Sequence, residues 1–387
     1  MALPLQYNIR NVFIRWRATF ATISGVALVV AVYILVQSLA AGLEKSSRNT
    51  GDPRNVMIVR QGSTAESSSQ VTLEQYRLIR DIPEIARDER GQPLISADVI
   101  VLVNLARRNN DGESHVLVRG ISPRGLDLRP QVSLAEGRWF LPGRREVVVS
   151  RRLAARFENF DIGKQISIGT RKLLVTGITT GGNSAFDSEL WMDADECRSM
   201  FDRNMYSSVL ARLASGASTN AILERIESNK QLPLRAIAET AYYSSQTMSA
   251  MPIKILGKFL ATMMSIGAIF AAMNTMYASV GSRTREIGTL RVLGYRRRTV
   301  LLTFVIEGTL LALIGGLLGC ALALPMHSRS AAFISFESWS EMMFQFRITP
   351  WLLGQGMLFA LAVGVLGSLF PAIRAARLPV ITALKAV

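Results

Sequence analysis

Four long apolar runs constrain this chain more than any other feature of its sequence. They carry no charge or a single acid, and they occupy residues 18–43, 259–282, 299–328 and 348–373. A helix needs about 20 apolar residues to cross the hydrocarbon core of a bilayer, and every run reaches that length. Buried strands of soluble proteins extend over only about 4–8 residues. The sequence therefore predicts four transmembrane helices.

The first run has an alternative interpretation as a cleaved signal peptide, because the stretch "SLAAG" resembles a small-residue cleavage site. The apolar part of a signal peptide is only about 7–15 residues long. Here the uncharged run covers 26 positions. We therefore favour a retained membrane helix.

Basic residues are concentrated in three short segments that alternate with the apolar runs. Residues 1–17, 282–298 and 374–387 together contain twelve basic residues and one acid, Glu286. Short basic loops stay in the cytoplasm. With four crossings the three segments fall on one side, so we expect both termini to be cytoplasmic.

The long connection between the first two helices, residues 44–252, predicts an α+β extracytoplasmic domain. It contains 28 basic and 25 acidic residues, a balance typical of a soluble domain. Strand-like segments at 55–60 and 95–106 flank a helix that Thr72 and Gln75 would cap. Further strand-like segments follow, and they predict a β-rich lobe inserted into a lobe that contains a βαβ unit.

Sequence signatures of catalysis are missing from the chain. It contains no G-x-x-x-x-G-K-[ST], no H-E-x-x-H and no G-x-S-x-G pattern. His115 and His327 are the only histidines and lie on different segments, which excludes a histidine-rich metal site. Cys197 and Cys320 fall in the outer region and the third helix, so they cannot pair. We therefore expect a non-catalytic subunit without a cofactor or metal of its own.

The sequence pI of about 10.4 would also suit a nucleic-acid-binding protein. Membrane topology already accounts for the excess charge, and no zinc-finger spacing or aromatic cluster accompanies it. We expect no nucleic-acid partner.

Three residues inside the predicted helices point to polar or close contacts. Glu307 lies about 12 Å into the third helix, where an unpaired carboxylate would cost on the order of a few kcal/mol. We expect it to face protein and to bond a polar group on a neighbouring helix or on the basic segment. Gly315 and Gly319 form a G-x-x-x-G pattern that suits close helix packing, within the chain or in a dimer. Simple tolerance of glycine in membrane helices explains the pattern equally well.

The basic segment "SRTREIGTLRVLGYRRR" links the second and third helices. From Thr284 to Leu293 it predicts a short helix with Ile287, Leu290 and Leu293 at three-residue steps. Such an apolar stripe among arginines would dock in a groove on a partner protein. From composition alone, binding to anionic lipid headgroups is the stronger interpretation.

Four stretches, in the right order, resemble MacB/FtsX-type permeases, the type VII ABC transporters. The pattern R-x-R-E-I-G-x-L-R-x-L-G resembles the coupling helix of that family. The stretch "NIRNVFIRWRATFATISGVALVVAV" resembles its amphipathic N-terminal helix and first membrane helix. Residues 137–178 resemble the MacB-like periplasmic core, and "FPAIRAARLPVITALKAV" resembles the C-terminal signature.

The resemblance implies that the short cytoplasmic helix fits a cleft in an ABC ATPase dimer, which binds ATP and Mg. The contact residues carried over by motif position are Arg283, Arg285, Glu286, Ile287, Gly288, Leu290, Arg291 and Gly294. A MacB carries its own nucleotide-binding domain, whereas only 17 residues precede the first helix here. We therefore expect the ATPase on a separate chain.

The resemblance also implies mechanotransmission in the bacterial inner membrane. Closure of the ATPase would pull on the coupling helix and move the periplasmic domain, with a second permease copy or a paralogue completing the dimer. We expect tripartite efflux of a periplasmic substrate through a membrane-fusion adaptor and an outer-membrane channel. Lipoprotein extraction from the inner membrane and FtsX-like signalling to an envelope hydrolase remain alternatives.

The predicted boundaries follow from these arguments. They are 1–17 for an amphipathic cytoplasmic helix, 18–43 for helix 1, 44–252 for the periplasmic domain, 253–282 for helix 2, 283–298 for the coupling helix and loop, 299–328 for helix 3, 329–349 for a short periplasmic loop, 350–373 for helix 4 and 374–387 for a cytoplasmic tail.

Overall fold

A computed structural model describes residues 16–108, 112–229, 232–248, 251–334 and 339–379. The amphipathic helix expected over 1–17 lies almost entirely outside the described residues, as does the end of the C-terminal signature. The chain divides into two compact units. We call Gly42–Met251 with Ser330–Gln345 the outer domain, and the remainder the helical unit.

The secondary structure is as follows. In chain order, the helices are α1 (Trp16–Thr50), α2 (Leu73–Arg80), α3 (Arg151–Ala154), α4 (Ala194–Met200), α5 (Thr219–Ser228), α6 (Glu239–Met248), α7 (Met251–Ser282), α8 (Thr284–Val292), α9 (Arg297–Ala323) and α10 (Pro350–Arg377). The strands are β1 (Asn55–Arg60), β2 (Ile95–Ala106), β3 (Glu113–Ile121), β4 (Ser133–Gly137), β5 (Glu146–Ser150), β6 (Gln165–Ile168), β7 (Arg171–Thr180), β8 (Glu189–Asp193), β9 (Ser208–Arg212), β10 (Leu234–Ala238), β11 (Ser330–Ile334) and β12 (Glu341–Gln345).

Within the described residues, α1, α7, α9 and α10 are long and apolar enough to cross a membrane. A large α/β domain lies between the first and the second of them in sequence. The predicted fold class is thereby confirmed.

Small residues bring α9 and α10 of the helical unit close together. A Cβ added to Gly308 would lie only 2.5 Å from the Cβ of Ser368, and one added to Gly316 would lie 2.7 Å from that of Ala360. The helices therefore meet at a distance that larger side chains would forbid. This is how membrane helices gain packing energy without a hydrophobic driving force between them.

The frame of the outer domain is a four-stranded antiparallel arrangement in the order β10-β1-β9-β2. Helix α2 connects β1 to β2 across β9, and α5 connects β9 to β10 across β1. These are two split βαβ units, the arrangement of ferredoxin-like folds. The predicted capping box of α2 is present, because Thr72 accepts from the N–H of Gln75 while the Gln75 side chain accepts from the N–H of Thr72.

A second lobe is inserted between β2 and β9. Its strands continue the sheet in the order β2-β3-β8-β5-β7-β4, and β6 pairs with β7. Strand β2 belongs to both lobes, since Ile95–Asp98 pair with β9 and Val99–Ala106 pair with β3. The structure thus agrees with the predicted insertion of a β-rich lobe into a βαβ-containing one.

A buried cluster of charges lies where β2 passes from one lobe to the other. The guanidinium of Arg119 donates to Glu189 (Nε–Oε2 2.6 Å), to Glu66 (Nη2–Oε2 2.9 Å) and to Asp98 (Nη1–Oδ2 3.2 Å). Arg129 also donates to Asp98, and both arginines are fully buried. The cluster ties strands of both lobes together, and removing one member of such a group leaves an unpaired buried charge.

The connection between α9 and α10, predicted only as a short periplasmic loop over 329–349, contains a β-hairpin of β11 and β12. The hairpin is part of the outer domain. The buried carboxylate of Glu341 lies 3.0 Å from Nη2 of Arg107 and 2.6 Å from Nη2 of Arg156, and it accepts from the hydroxyl of Ser114. The N–H of Met343 donates to Oγ of Ser188 at 2.7 Å. The hairpin is therefore attached to the inserted lobe by one buried acid and by a hydrogen bond from its backbone.

Candidate functional site

The short helix α8 is shaped by residues at its two ends. It ends in a Schellman motif, in which Gly294 has a φ of 92°. The N–H of Tyr295 donates to the carbonyl of Leu290 at 3.1 Å, and the N–H of Gly294 donates to that of Arg291 at 3.2 Å. Glycine suits this position because the left-handed conformation strains residues that have a Cβ. The chain then reverses and enters α9 at Arg297.

One face of α8 is anchored within the helical unit. Ile287 is 2 % exposed and belongs to an apolar cluster with side chains of α7, α9 and α10, including Val280, Phe304 and Ala372. Gly288 is also buried. Helix α8 is therefore held against three membrane helices at once.

A buried ion pair adds a polar anchor to this apolar one. Nη1 of Arg283, the residue before α8, donates to Oε2 of Glu307 in α9 at 2.9 Å. Both side chains are less than one-tenth exposed. The carboxylate thus faces protein and bonds the basic segment, in the geometry that the sequence analysis expected. A role of this pair in coupling stays a prediction.

The opposite face of α8 is open. Arg285, Glu286 and Thr289 are exposed, and the apolar side chains of Val292 and Leu293 are 60 % and 67 % exposed. Charged side chains surrounding exposed aliphatic ones are the composition expected of a surface that a partner covers. Sequence reasoning did not select Thr289 or Val292. They lie four and seven positions after Arg285, a helical spacing that could have identified them as part of the same face.

The structure divides the eight predicted contact residues into three groups. Arg285, Glu286 and Gly294 are exposed, Leu290 and Arg291 are half-buried, and Arg283, Ile287 and Gly288 are buried against the chain's own helices. The predicted stripe of Ile287, Leu290 and Leu293 is not one face of the helix. At 100° per residue, Ile287 and Leu293 point about 120° apart. Ile287 consequently packs inward while Leu293 points outward.

The two glycines of the G-x-x-x-G pattern pack against α1 of the same chain. A Cβ on Gly315 would lie 2.8 Å from the carbonyl oxygen of Ile23, and one on Gly319 would lie 2.6 Å from that of Ala27. Both distances are too short for a real Cβ, so α1 and α9 are in backbone contact here. The close packing is therefore intramolecular at these positions.

Within the described parts of the chain, no three His, Cys, Asp or Glu residues are grouped as a metal site. The arrangement around α8 offers mechanical attachment, through an anchored inner face and an open outer face.

Family models agree with this arrangement of domains. Residues 19–229 match the MacB-like periplasmic core domain, which is more than half of the chain, and residues 258–380 match the FtsX-like permease C-terminal domain. The chain belongs to the MacB/FtsX-type family of ABC transporter permeases. The second match contains α8, so this short helix lies inside a recognised permease domain.

Curated relatives are similar to this permease over different shares of their length. It is 24% identical to the uncharacterized ABC transporter permease YknZ of Bacillus subtilis, over 94% of this chain and 92% of YknZ. It is 26% identical to the macrolide export ATP-binding/permease protein MacB of Bradyrhizobium diazoefficiens, over 72% of this chain and 44% of MacB. For MacB of Bdellovibrio bacteriovorus the identity is 25%, over 93% of this chain and 57% of that MacB. The chain thus spans about half the length of these MacB relatives.

Solved structures similar to the permease come from outer domains. One is the extracellular domain of YknZ from Gram-positive bacteria, with 15% identity and a TM-score of 0.36 over 47% of this chain and 99% of that one. Another is the periplasmic region of MacB from Actinobacillus actinomycetemcomitans, with 14% identity and a TM-score of 0.39. The match covers 51% of this chain and 94% of that one.

Proposed function

We propose that this permease is the membrane subunit of a complex in which a separate ABC ATPase drives the outer domain through α8. The observation that carries the proposal is the two-sided character of α8. Its inner face is fixed by Ile287 and by the Arg283–Glu307 pair. Its outer face presents Arg285, Glu286 and Leu293 to the surroundings.

The anchoring of α8 determines which helices a docked ATPase would move. Ile287 contacts a cluster built from α7, α9 and α10, so a pull on α8 is opposed by three helices together. The Arg283–Glu307 pair links the start of α8 to a point nearly three turns into α9. A displacement of the docked segment would therefore pass into the bundle rather than be absorbed by bending of a loose loop.

The proposed task of the complex is export of a periplasmic substrate from the bacterial inner membrane, with both termini cytoplasmic. Support comes from the match of residues 19–229 to the MacB-like periplasmic core and from relatives named for macrolide export. A membrane-fusion adaptor and an outer-membrane channel would complete the route. ATP and Mg would be bound by the ATPase, and a second permease copy or a paralogue would complete the dimer.

Docking is tested by reversing the open face of α8. The variant Arg285→Glu/Leu293→Asp is purified from mildly solubilised membranes beside the wild type, and co-purifying proteins are identified by mass spectrometry. Both side chains are solvent-exposed, so the substitutions leave the inner anchor intact. The wild type should bring a P-loop ATPase and a periplasmic adaptor.

The variant should recover at least about tenfold less ATPase than the wild type does, since charge reversal at an interface brings like charges together and costs on the order of several kcal/mol. Arg329→Glu is the matched control, because this exposed arginine follows the other end of α9. Equal ATPase recovery from wild type and variant would refute docking at α8. Acylated lipoproteins in place of an adaptor would refute export.

A further inference from the structure

A cavity of about 650 Å³ lies in the outer domain beside the β11–β12 hairpin. Arg151, Arg152 and Arg156, at and just after α3, contribute to its lining, and Met343 and Gln345 of the hairpin contribute to it as well. Its volume falls in the range of about 300–1,000 Å³ that small-molecule sites occupy. No residue of α8 takes part in it.

The acids near this cavity leave its arginines incompletely neutralised. Among the described lining residues, Asp187 is the one acid, 3.5 Å from Nη2 of Arg152. The carboxylate of Asp187 already accepts the backbone N–H groups of Gly181 at 2.7 Å and Asn183 at 3.1 Å. Its negative charge is therefore shared between Arg152 and two amide dipoles.

The other two arginines also retain charge for an anion, Arg151 more than Arg156. Glu341 is shared by Arg156 and Arg107, so a single negative charge faces two guanidinium groups. Arg151 pairs with Glu136 at 2.8 Å, but both side chains are more than half exposed. A solvent-exposed pair of this kind contributes about 0–1 kcal/mol, so Arg151 can turn to another partner at little cost.

The chemistry of the lining selects one class of ligand. Guanidinium groups bind phosphate through paired, charge-assisted hydrogen bonds. Thr180, Asn183 and Gln345 supply neutral polar groups, while Ala155 and Met343 supply an apolar surface. We propose that this cavity binds the phosphate group of an organic phosphate ester. The ester is either a phospholipid headgroup or a soluble organic phosphate.

The test uses the full-length permease purified in an uncharged detergent, without any ATPase. Binding of dihexanoyl phosphatidylglycerol and of glycerol 3-phosphate is measured by isothermal titration calorimetry. The variant Arg151→Gln/Arg152→Gln removes two charges from the cavity. The control Arg144→Gln/Arg145→Gln removes two charges from neighbouring exposed arginines of the same lobe, which also pair with acids but do not line the cavity.

We expect the cavity variant to weaken binding by at least about tenfold, and the control to bind like the wild type. Binding of both probes would identify a soluble organic phosphate as a sufficient ligand, whereas binding of phosphatidylglycerol alone would identify a lipid headgroup. Either pattern supports the proposal. No binding of either probe, or equal weakening in both double variants, overturns it.

A second variant keeps the test valid if the charge variant folds poorly. Ala155 is exposed and lines the cavity, so Ala155→Trp fills space without removing a charge. It should abolish phosphate binding while the thermal midpoint stays near that of the wild type. Full binding by a folded Ala155→Trp variant would place the ligand elsewhere. Because the measurement omits the ATPase, its failure leaves the coupling proposal untouched.

Discussion

Arg283 and Glu307 form a buried ion pair, with Nη1 and Oε2 2.9 Å apart. The pair joins the residue before α8 to the interior of α9, where neither charge has ready access to water. Breaking a buried pair costs about 3–5 kcal/mol, because the remaining charge stays unpaired, whereas replacing both partners by apolar groups is often neutral. A variant that replaces both partners should therefore remain stable while lacking the pair, so it can distinguish a structural role of the pair from a role in coupling.

Glu307→Ala should destabilise the permease by about 3–5 kcal/mol, while Arg283→Met/Glu307→Leu should recover most of that loss. The thermal midpoint in detergent measures both variants, with the exposed Glu44→Ala as control. In the assembled complex, the double variant should remain folded yet stimulate the ATPase less than the wild type does. Unchanged stimulation would show that the pair serves stability alone.

Gly319→Ala should destabilise the permease by about 1–3 kcal/mol, the usual cost of overpacking a tight contact. The new Cβ would lie 2.6 Å from the carbonyl oxygen of Ala27 and 2.8 Å from the Cβ of Val30. Gly267→Ala is the control, since nothing lies within 4 Å of its added Cβ. Thermal midpoints compare the two, and equal effects would contradict a backbone contact between α1 and α9.

The outer domain should lose stability as the pH falls toward the acid range. Burial by itself would raise the pKa of Glu66, but attraction to Arg119 and hydrogen bonds from Arg119 and Ser208 outweigh it, so the pKa lies below its ordinary value. A carboxyl with a depressed folded-state pKa stabilises above its unfolded pKa and loses that contribution as the pH falls through the folded one. Chemical unfolding at a series of pH values measures how the free energy of unfolding changes with pH. Glu66→Gln should make that change smaller.

Glu239 should have the opposite effect, a loss of folding stability as the pH rises. Burial raises its pKa, so the folded state favours the protonated acid, and that contribution is lost as the pH rises through the raised value. Glu239→Gln removes the titration while its amide oxygen can still accept from the N–H of Asp52. The stability of this variant relative to wild type should therefore increase from acid to neutral pH. The exposed Glu74→Gln is the control, and a difference independent of pH would contradict the prediction.

Cys197 should resist alkylation in the folded outer domain. Burial raises the pKa of its thiol to about 12, which lowers the thiolate fraction about a thousandfold relative to an exposed thiol. Maleimide labelling of a Cys320→Ala variant at pH 8 should therefore need denaturant. Ser215→Cys, at an exposed loop position, should be labelled without it. Rapid labelling of native Cys197 would show that α4 opens readily.

Glu341→Ala should loosen the β11–β12 hairpin, because Arg107 and Arg156 lose the one carboxylate that they share. Amide hydrogen exchange should accelerate in β11 and β12 and stay unchanged in β1. Glu136→Ala removes an acid from an exposed pair and should change exchange very little. Unaltered protection of the hairpin in Glu341→Ala would assign its attachment to backbone contacts such as that between Met343 and Ser188.

Features with a local cause could be predicted from the sequence. The membrane helices follow from apolar length alone, and β1 and β2 have the predicted bounds. The α2 cap depends on Thr72 and Gln75, three positions apart, and was predictable for that reason. The pattern of the basic segment predicted α8, and its described bounds differ from that prediction by one residue.

Features that depend on distant partners could not be predicted. Arg119 and Arg129 resemble ordinary surface charges in the sequence, because Glu66 and Glu189 lie more than 50 positions away from either. Glu341 stood in a loop of balanced charge, and its burial depends on Arg107 and Arg156. The two faces of α8 were misassigned because three-residue steps drift around a helix by about 60° each.

The passage of β2 between two lobes also determines how freely the outer domain can be rebuilt. Asp98, the last residue of β2 that pairs with β9, is the register partner of Ser208, the first residue of β9. The chain leaves the four-stranded frame after Asp98 and returns to it at Ser208, and the entire inserted lobe lies between these two residues. Because they are register partners on neighbouring strands, a two-residue turn could join them. The chain connections would thus allow the lobe to be exchanged, but Arg119 and Arg129 would leave with it, so the replacement must supply new partners for the buried carboxylates of Glu66 and Asp98.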